Sequence, residues 1–151
     1  MNGKPYMSDR ITNRRLRGLR IRGHRGHPEV RSAFIRFARW LRTARDFPVL
    51  LPVYLIPRDH IRSAAGRLCP ASFFAPDSPL EVPFVRVATG DFPKLRRSDG
   101  RDAALAAFLC SLAHELVHYD QWLAREALTE RGVAKKARRT VSQYNMAVDH
   151  P

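Results

Sequence analysis

The sequence predicts an α+β domain in which an N-terminal helix, a small sheet of about three strands and two further helices follow one another. Apolar residues recur at helical spacing over residues 28–45, and residues 102–125 contain neither Pro nor Gly. Between these segments lie short stretches rich in β-branched and aromatic residues, separated by prolines. A chain of 151 residues has the size of one domain, which we place at residues 28–151.

Residues 1–27 are predicted to form a flexible basic arm. The first 45 residues hold 13 Lys and Arg against Asp9 and Glu29, and so carry most of the net charge of +13. Few apolar residues precede Pro28, and glycines interrupt them, which is typical of a disordered segment. Such an arm can contact nucleic acid weakly through its phosphates. A solvated leader without a partner explains it equally well, because no aromatic residue interrupts residues 11–27.

The first helix is predicted over residues 28–45. Arginines occupy its remaining faces, so we expect an amphipathic helix with a basic outer surface. The apolar positions that define its buried face are Val30, Phe34, Phe37, Ala38 and Leu41.

The sheet is predicted from three extended segments. Residues 50–56 suit a strand at an edge or a bulge, because Pro48 and Pro52 cannot donate ladder hydrogen bonds. Shorter extended pieces are predicted over residues 71–75 and 83–88, with turn residues between them.

Two helices are predicted to complete the domain. Residues 90–100 are expected to be a connector whose Ser98 and Asp99 offer oxygens that cap the next helix. That helix begins near Arg101 and should run through the centre of the domain, because the residues that follow are apolar on almost every face. A final helix is predicted over residues 129–146.

The composition also bears on membrane contact and on the cellular compartment. Its longest apolar stretches fall short of the roughly 20 residues that cross a bilayer, so no membrane contact is expected. No signal peptide is evident at the start of the sequence. Cys69 and Cys110 stand alone in their segments, which favours free thiols in a reducing compartment, the cytoplasm.

The segment from Ala113 to Tyr119 carries the pattern His-Glu-x-x-His. On a helix, His114 and His118 lie about one turn apart on the same face and can bind one metal ion. Two imidazoles and an open position suit a catalytic zinc ion, one per chain, with Glu115 as general base toward water. A chance pattern on an exposed face is the alternative. The apolar surroundings disfavour it, because a His-Glu pair is costly to bury without compensation.

A catalytic zinc ion needs a third protein ligand. Glu130 is preferred because it is expected to open a new helix that can fold back, whereas Glu126 should continue the preceding helix away from the metal. The downstream candidates with suitable donor atoms are Glu126, Glu130, Asp149 and His150.

The HELVH helix, followed by a second helix with a glutamate, resembles the gluzincin type of zinc metallopeptidase. It is most similar to minimal single-domain members, the minigluzincins. The resemblance spans residues 28–146 and implies that His114, His118 and Glu130 bind zinc while Glu115 is the catalytic base. The matching stretches include FIRFARWLR, FPVLLPVYL, ASFFAP, PFVRVATGDFP, AALAAFLCSLAHELVHYDQWL and TERGVAKKA.

The same resemblance implies a mode of substrate binding. The strand that contains Val85, Arg86 and Val87 would be the upper edge of the sheet and would pair with an extended peptide across the cleft. The substrate would then be a peptide or protein.

Some features of the resemblance leave questions open. Ala134 stands where many gluzincins have an Asp that orients a histidine, so the support of the site must differ. Tyr119, Tyr144 and His150 remain alternatives for the residue that stabilises the oxyanion. Small members can be latent, and here residues 145–151 include groups that could block the metal.

We therefore expect a zinc-dependent metallopeptidase that hydrolyses peptide bonds through metal-activated water and Glu115. The alternative is a catalytically latent zinc-binding module that contacts a partner protein. Either could associate with nucleic acid through residues 1–27.

Overall fold

The computed structural model describes residues 17–78 and 80–148, and its mixed α+β architecture confirms the predicted fold class. Four helices and six strands are present in this part of the chain. The helices are α1 (Pro28–Ala44), α2 (Phe92–Asp99), α3 (Arg101–Leu123) and α4 (Val133–Ala147). The strands are β1 (Leu19–Arg22), β2 (Leu51–Ile56), β3 (Ile61–Arg62), β4 (Leu68–Cys69), β5 (Ala71–Phe74) and β6 (Phe84–Ala88).

The main sheet has four strands in the order β1-β2-β6-β5, one more strand than predicted. The first three strands run parallel to one another, and β5 pairs antiparallel with β6. A separate hairpin of β3 and β4 lies between β2 and β5 in the sequence. Parallel neighbours need a crossover connection, which α1 supplies between β1 and β2.

The extra strand, β1, corrects the prediction of a flexible arm over residues 1–27. Leu19 is buried, and β1 pairs in register with β2. The guanidinium of Arg42 on α1 also donates two hydrogen bonds to the Leu19 carbonyl oxygen. The apolar residues Leu19 and Ile21 alternate with arginines, as in a strand with one buried face. The alternation covers only four residues in a strongly basic segment, so it did not predict a strand. Residues 1–16 lie outside the described part of the chain.

The position of β6 corrects the predicted role of Val85, Arg86 and Val87. These residues lie in an inner strand whose backbone pairs with β2 on one side and with β5 on the other. No edge is left there for a peptide. The sheet edge on this side belongs to β5, whose outer side pairs with no described strand.

The helices cover one face of the sheet and enclose the core. Inward side chains of β2 and β6, such as Val53 and Val85, are fully buried beneath α1 and α3. Helix α4 packs along α3 on the outside of this layer. The central position predicted for the HELVH helix is confirmed by its buried residues, which include Ala104, Leu105, Phe108, Leu109, Leu112 and Leu116.

Two connections differ from the prediction. The expected connector over residues 90–100 contains α2, and Gly100 at φ 91° separates α2 from α3. Ser98 and Asp99 thus belong to α2, and neither side chain caps α3. The last helix begins at Val133 after Gly132 at φ 74°, so Glu130 lies in the preceding loop. None of the helices in the described residues has the length and apolar character needed to cross a membrane.

Candidate metal centre

Helix α3 places both histidines of the HELVH segment on one face. Their ring centroids are 5.3 Å apart, as expected for residues one helical turn apart. The His118 side chain is 9% exposed and that of His114 is 31% exposed. The pair therefore lies at the boundary between the core and an accessible surface, as a site that admits a ligand requires.

The loop after α3 brings Glu130 to these histidines. The helix ends at Leu123, and Arg125 at φ 59° reverses the chain direction in the left-handed region. One Glu130 carboxylate oxygen lies 2.9 Å from His114 Nε2, and the other lies 2.8 Å from His118 Nε2. The three side chains form a group whose potential ligand atoms all lie within 4.8 Å of one another.

The other proposed third ligands do not join this group. Glu126 lies in the same loop, where its backbone N–H donates to the Gln121 carbonyl, and its side chain is not part of the cluster. It does not continue α3 as predicted, since the helix has already ended. Asp149 and His150 lie outside the described residues.

Gln121 ties the helix to the loop, and sequence reasoning left it out of the site. Its Oε1 accepts hydrogen bonds from His118 Nδ1 at 2.9 Å and from the Thr129 backbone N–H at 3.2 Å. Its Nε2 donates to the Thr129 carbonyl at 3.1 Å. The two Thr129 contacts fix which end of the amide faces His118, because a backbone N–H can only donate and a carbonyl can only accept.

This amide orientation determines how His118 presents its other nitrogen. Nδ1 must carry the hydrogen that it donates to Gln121, so Nε2 of the neutral ring directs its lone pair at Glu130. A lone pair facing a carboxylate oxygen at 2.8 Å is repulsive unless a proton or a metal cation lies between them. The Nε2 lone pair and the Glu130 carboxylate therefore both favour a cation between them.

Glu115 lies beside the cluster and faces inward, with 7% of its surface exposed. Burial raises the pKa of Glu115 to about 7, an effect that the nearby His118 opposes and Glu130 reinforces. The Cys69 thiol is close enough for the Glu115 carboxylate to help burial raise its pKa as well. Glu115 therefore occupies a partly desolvated position on the side of α3 that faces Cys69 of β4.

Strand β5 packs against α3 near Tyr119 and Trp122. Phe73 makes edge contacts with the rings of Tyr119 and Trp122, with centroids 6.3 and 6.4 Å apart. The unpaired edge of β5 is consequently the sheet edge that lies next to the histidine helix.

The tyrosines considered for oxyanion stabilisation are packed in the core. The Tyr119 hydroxyl donates to the Val49 carbonyl and accepts from the Val49 N–H, and burial raises the pKa of Tyr119 to about 12. Tyr144 is buried against Phe37 and Trp40. Neither hydroxyl is free to face a substrate, and His150 lies outside the described residues.

Comparisons with family models, curated proteins and solved structures found no match for this chain. The similarity to gluzincins therefore rests on the sequence motif. The cluster geometry is a separate observation, made on this chain itself.

Proposed function

We propose that the protein is a zinc-dependent metallopeptidase. The convergence of His114 Nε2, His118 Nε2 and the Glu130 carboxylate on one point carries the proposal. Two imidazoles and one carboxylate are the protein ligands typical of a catalytic zinc ion, which keeps a further position open. A structural zinc site usually has four protein ligands, often cysteines, and no cysteine belongs to this cluster.

Each residue of the site has a distinct role in this proposal. Zinc, when bound, polarises the scissile carbonyl and lowers the pKa of water at the open position. Glu115 takes a proton from the attacking water and passes it to the leaving amine, and its pKa near neutrality suits both transfers. Gln121 holds His118 in the tautomer that offers Nε2.

The substrate would be a peptide bound along β5. An extended chain can pair its backbone with the outer edge of Ala71–Phe74, which no described strand occupies, and so extend the sheet beside α3. The proposed binding strand is therefore β5, one strand further out than the β6 residues that the resemblance implied.

A zinc-binding module without catalysis is the second candidate. One observation favours it: Tyr119 and Tyr144 are both committed to the core, so neither supplies the oxyanion donor that a gluzincin-like mechanism uses. Metal binding with no turnover of peptides would fit this module.

Metal analysis combined with peptide hydrolysis tests the proposal. The wild type should bind about one zinc per chain and cleave members of a peptide library. His118→Ala and Glu130→Ala should lose both properties, whereas Glu115→Gln should keep zinc and lose hydrolysis at least about a hundredfold. Glu126→Ala is the matched control, because it removes a carboxylate from the same loop but outside the cluster.

Three results distinguish the alternatives. Hydrolysis by Glu115→Gln at the wild-type rate would refute the proposed mechanism. A zinc-loaded wild type that cleaves no peptide would favour the binding module. A wild type that binds no zinc would refute both.

A further inference from the structure

The sheet face opposite the helices carries a row of residues that the metal centre does not use. Arg22, Tyr54, Arg86 and Ser72 are direct neighbours across β1, β2, β6 and β5, so their side chains share this outer face. Phe84 and Phe74 form the adjacent pair on the last two strands. Arg20 lies two residues before Arg22 and points to the same side.

Three of these residues form a contiguous aromatic surface. The Phe84 ring stacks on Phe74 at 4.9 Å between centroids and meets Tyr54 edge to face at 5.9 Å. Tyr54 is 40% exposed and Phe74 is 38% exposed. Apolar residues that form a contiguous exposed patch, unlike single ones, are typical of interaction sites.

Positive charge surrounds the aromatic surface. Arg20 and Arg22 are exposed and form no ion pair with any described residue. Beyond the end of β2, a cavity of about 660 Å³ is lined by Arg25, Arg58, His60, Arg62 and Arg86 among others. Asp59 is the acidic residue in that loop, so arginines outnumber carboxylates strongly.

Arg86 joins the row to this cavity. One of its terminal nitrogens donates to the Arg62 carbonyl and to Ser72 Oγ. Its Nε is buried and has no hydrogen-bond partner among the described residues. The guanidinium is thus held at the sheet surface with part of its hydrogen-bonding capacity unused, next to Tyr54.

We propose that this outer face binds single-stranded nucleic acid. Bases would stack on Tyr54 and Phe74, while Arg20, Arg22 and the arginines of the cavity would neutralise phosphates. A duplex would offer phosphates but no accessible base faces, so it would leave the aromatic rings unused.

Other occupants match the surface less well. Residues 1–16 contain four Lys and Arg and a single Asp, so this segment has the same sign of charge as the face. A lipid surface would attract the arginines. The aromatic rings, however, lie on strands and not on a protruding loop, so they are poorly placed to insert into a bilayer. The inference is independent of the proposed peptidase activity, because the face lies on the other side of the sheet from α3.

Fluorescence anisotropy with the full-length protein tests this inference. The probe is a labelled oligothymidine of about 12 nucleotides, compared with a duplex of equal length over a range of salt concentrations. Tyr54→Ala and Phe74→Ala should each weaken binding of the single strand about tenfold. Arg20→Ala/Arg22→Ala should reduce the salt dependence of log K by about 1.4, since each phosphate contact to a single strand contributes about 0.7.

The matched control is Arg39→Ala/Lys135→Ala, which removes two exposed positive charges from α1 and α4. It should leave the salt dependence close to that of the wild type. If it lowers the slope as much as Arg20→Ala/Arg22→Ala does, binding is a property of net charge and the inference fails.

Further outcomes decide the role of the rings. Tyr54→Leu keeps an apolar side chain but removes the stacking ring, so it should also weaken binding. This variant shows whether the effect of Tyr54→Ala comes from the lost ring and not from a folding defect. Unchanged affinity in the Tyr54 and Phe74 variants would overturn the inference. So would equal affinity for duplex and single strand, or binding to vesicles of anionic lipid without binding to the oligonucleotide.

Discussion

Gln121 illustrates what a single side chain contributes to the candidate site. It contacts His118 and both backbone polar groups of Thr129, the residue before Glu130. One amide thus sets the tautomer of one proposed ligand and the position of the segment that carries another. Because Ala134 replaces the Asp expected from gluzincins, Gln121 provides the support that the resemblance left open.

Replacing Gln121 should weaken zinc binding without unfolding the protein. We expect Gln121→Ala to lower zinc affinity about 10–100-fold, since the loss of a partner to a ligating histidine typically has this effect. Competition with a chromophoric chelator measures it. Asp120→Ala is the control, because Asp120 is the neighbouring residue but pairs with Arg45 at 2.6 Å. Equal zinc affinity in the two variants would contradict the role of Gln121.

The residues of the site differ in how well the sequence predicts them. The spacing of His114 and His118 on a helix fixes their shared face. Glu130 does join them, but the reason for preferring it over Glu126 is wrong, because α3 ends at Leu123 and both glutamates lie in the loop that follows. Gln121 lies three residues after His118, a spacing that puts it on the same face. Its contact with Thr129 depends on the path of the loop, which Arg125 sets through a left-handed turn that no local pattern predicts.

At the scale of elements, long periodic segments were predictable and short charged ones were not. The apolar periodicity of α1, and the long apolar run without Pro or Gly in α3, predict both helices to within two residues. Strand β1 contributes two apolar and two charged residues, a pattern too short to stand out among arginines. The order of strands depends on crossovers between distant segments, so the sequence did not reveal that β6 is an inner strand.

Leu19 tests whether β1 belongs to the folded domain. It is 1% exposed, so Leu19→Ala should lower the free energy of unfolding by about 2–4 kcal/mol. Urea denaturation measures the change. Leu80→Ala is the control, because Leu80 is 89% exposed and its replacement should change stability by less than about 0.5 kcal/mol. Equal effects of the two substitutions would mean that β1 is not packed in solution.

At the scale of the whole molecule, the sheet separates two surfaces of different chemistry. The helical side carries the cluster of two imidazoles and the largely exposed Glu130 carboxylate, with Glu115 beside it. The opposite side carries aromatic rings together with Arg20 and Arg22, which form no ion pair within residues 17–78 and 80–148. The net charge of +13 left open weak nucleic-acid contact, and the sequence located that contact on residues 1–27. The pairing of β1 with β2 places Arg22 beside Tyr54.

X-ray absorption at the zinc edge of the zinc-loaded protein tests the central claim most directly. The account predicts a zinc ion bound by two imidazole nitrogens, a carboxylate oxygen and an oxygen from water. His118→Ala should lose most of its zinc, and zinc forced onto it by excess metal should show one imidazole fewer. Zinc coordinated by one imidazole or none in the wild type, or the same coordination in both proteins, would contradict the proposed site.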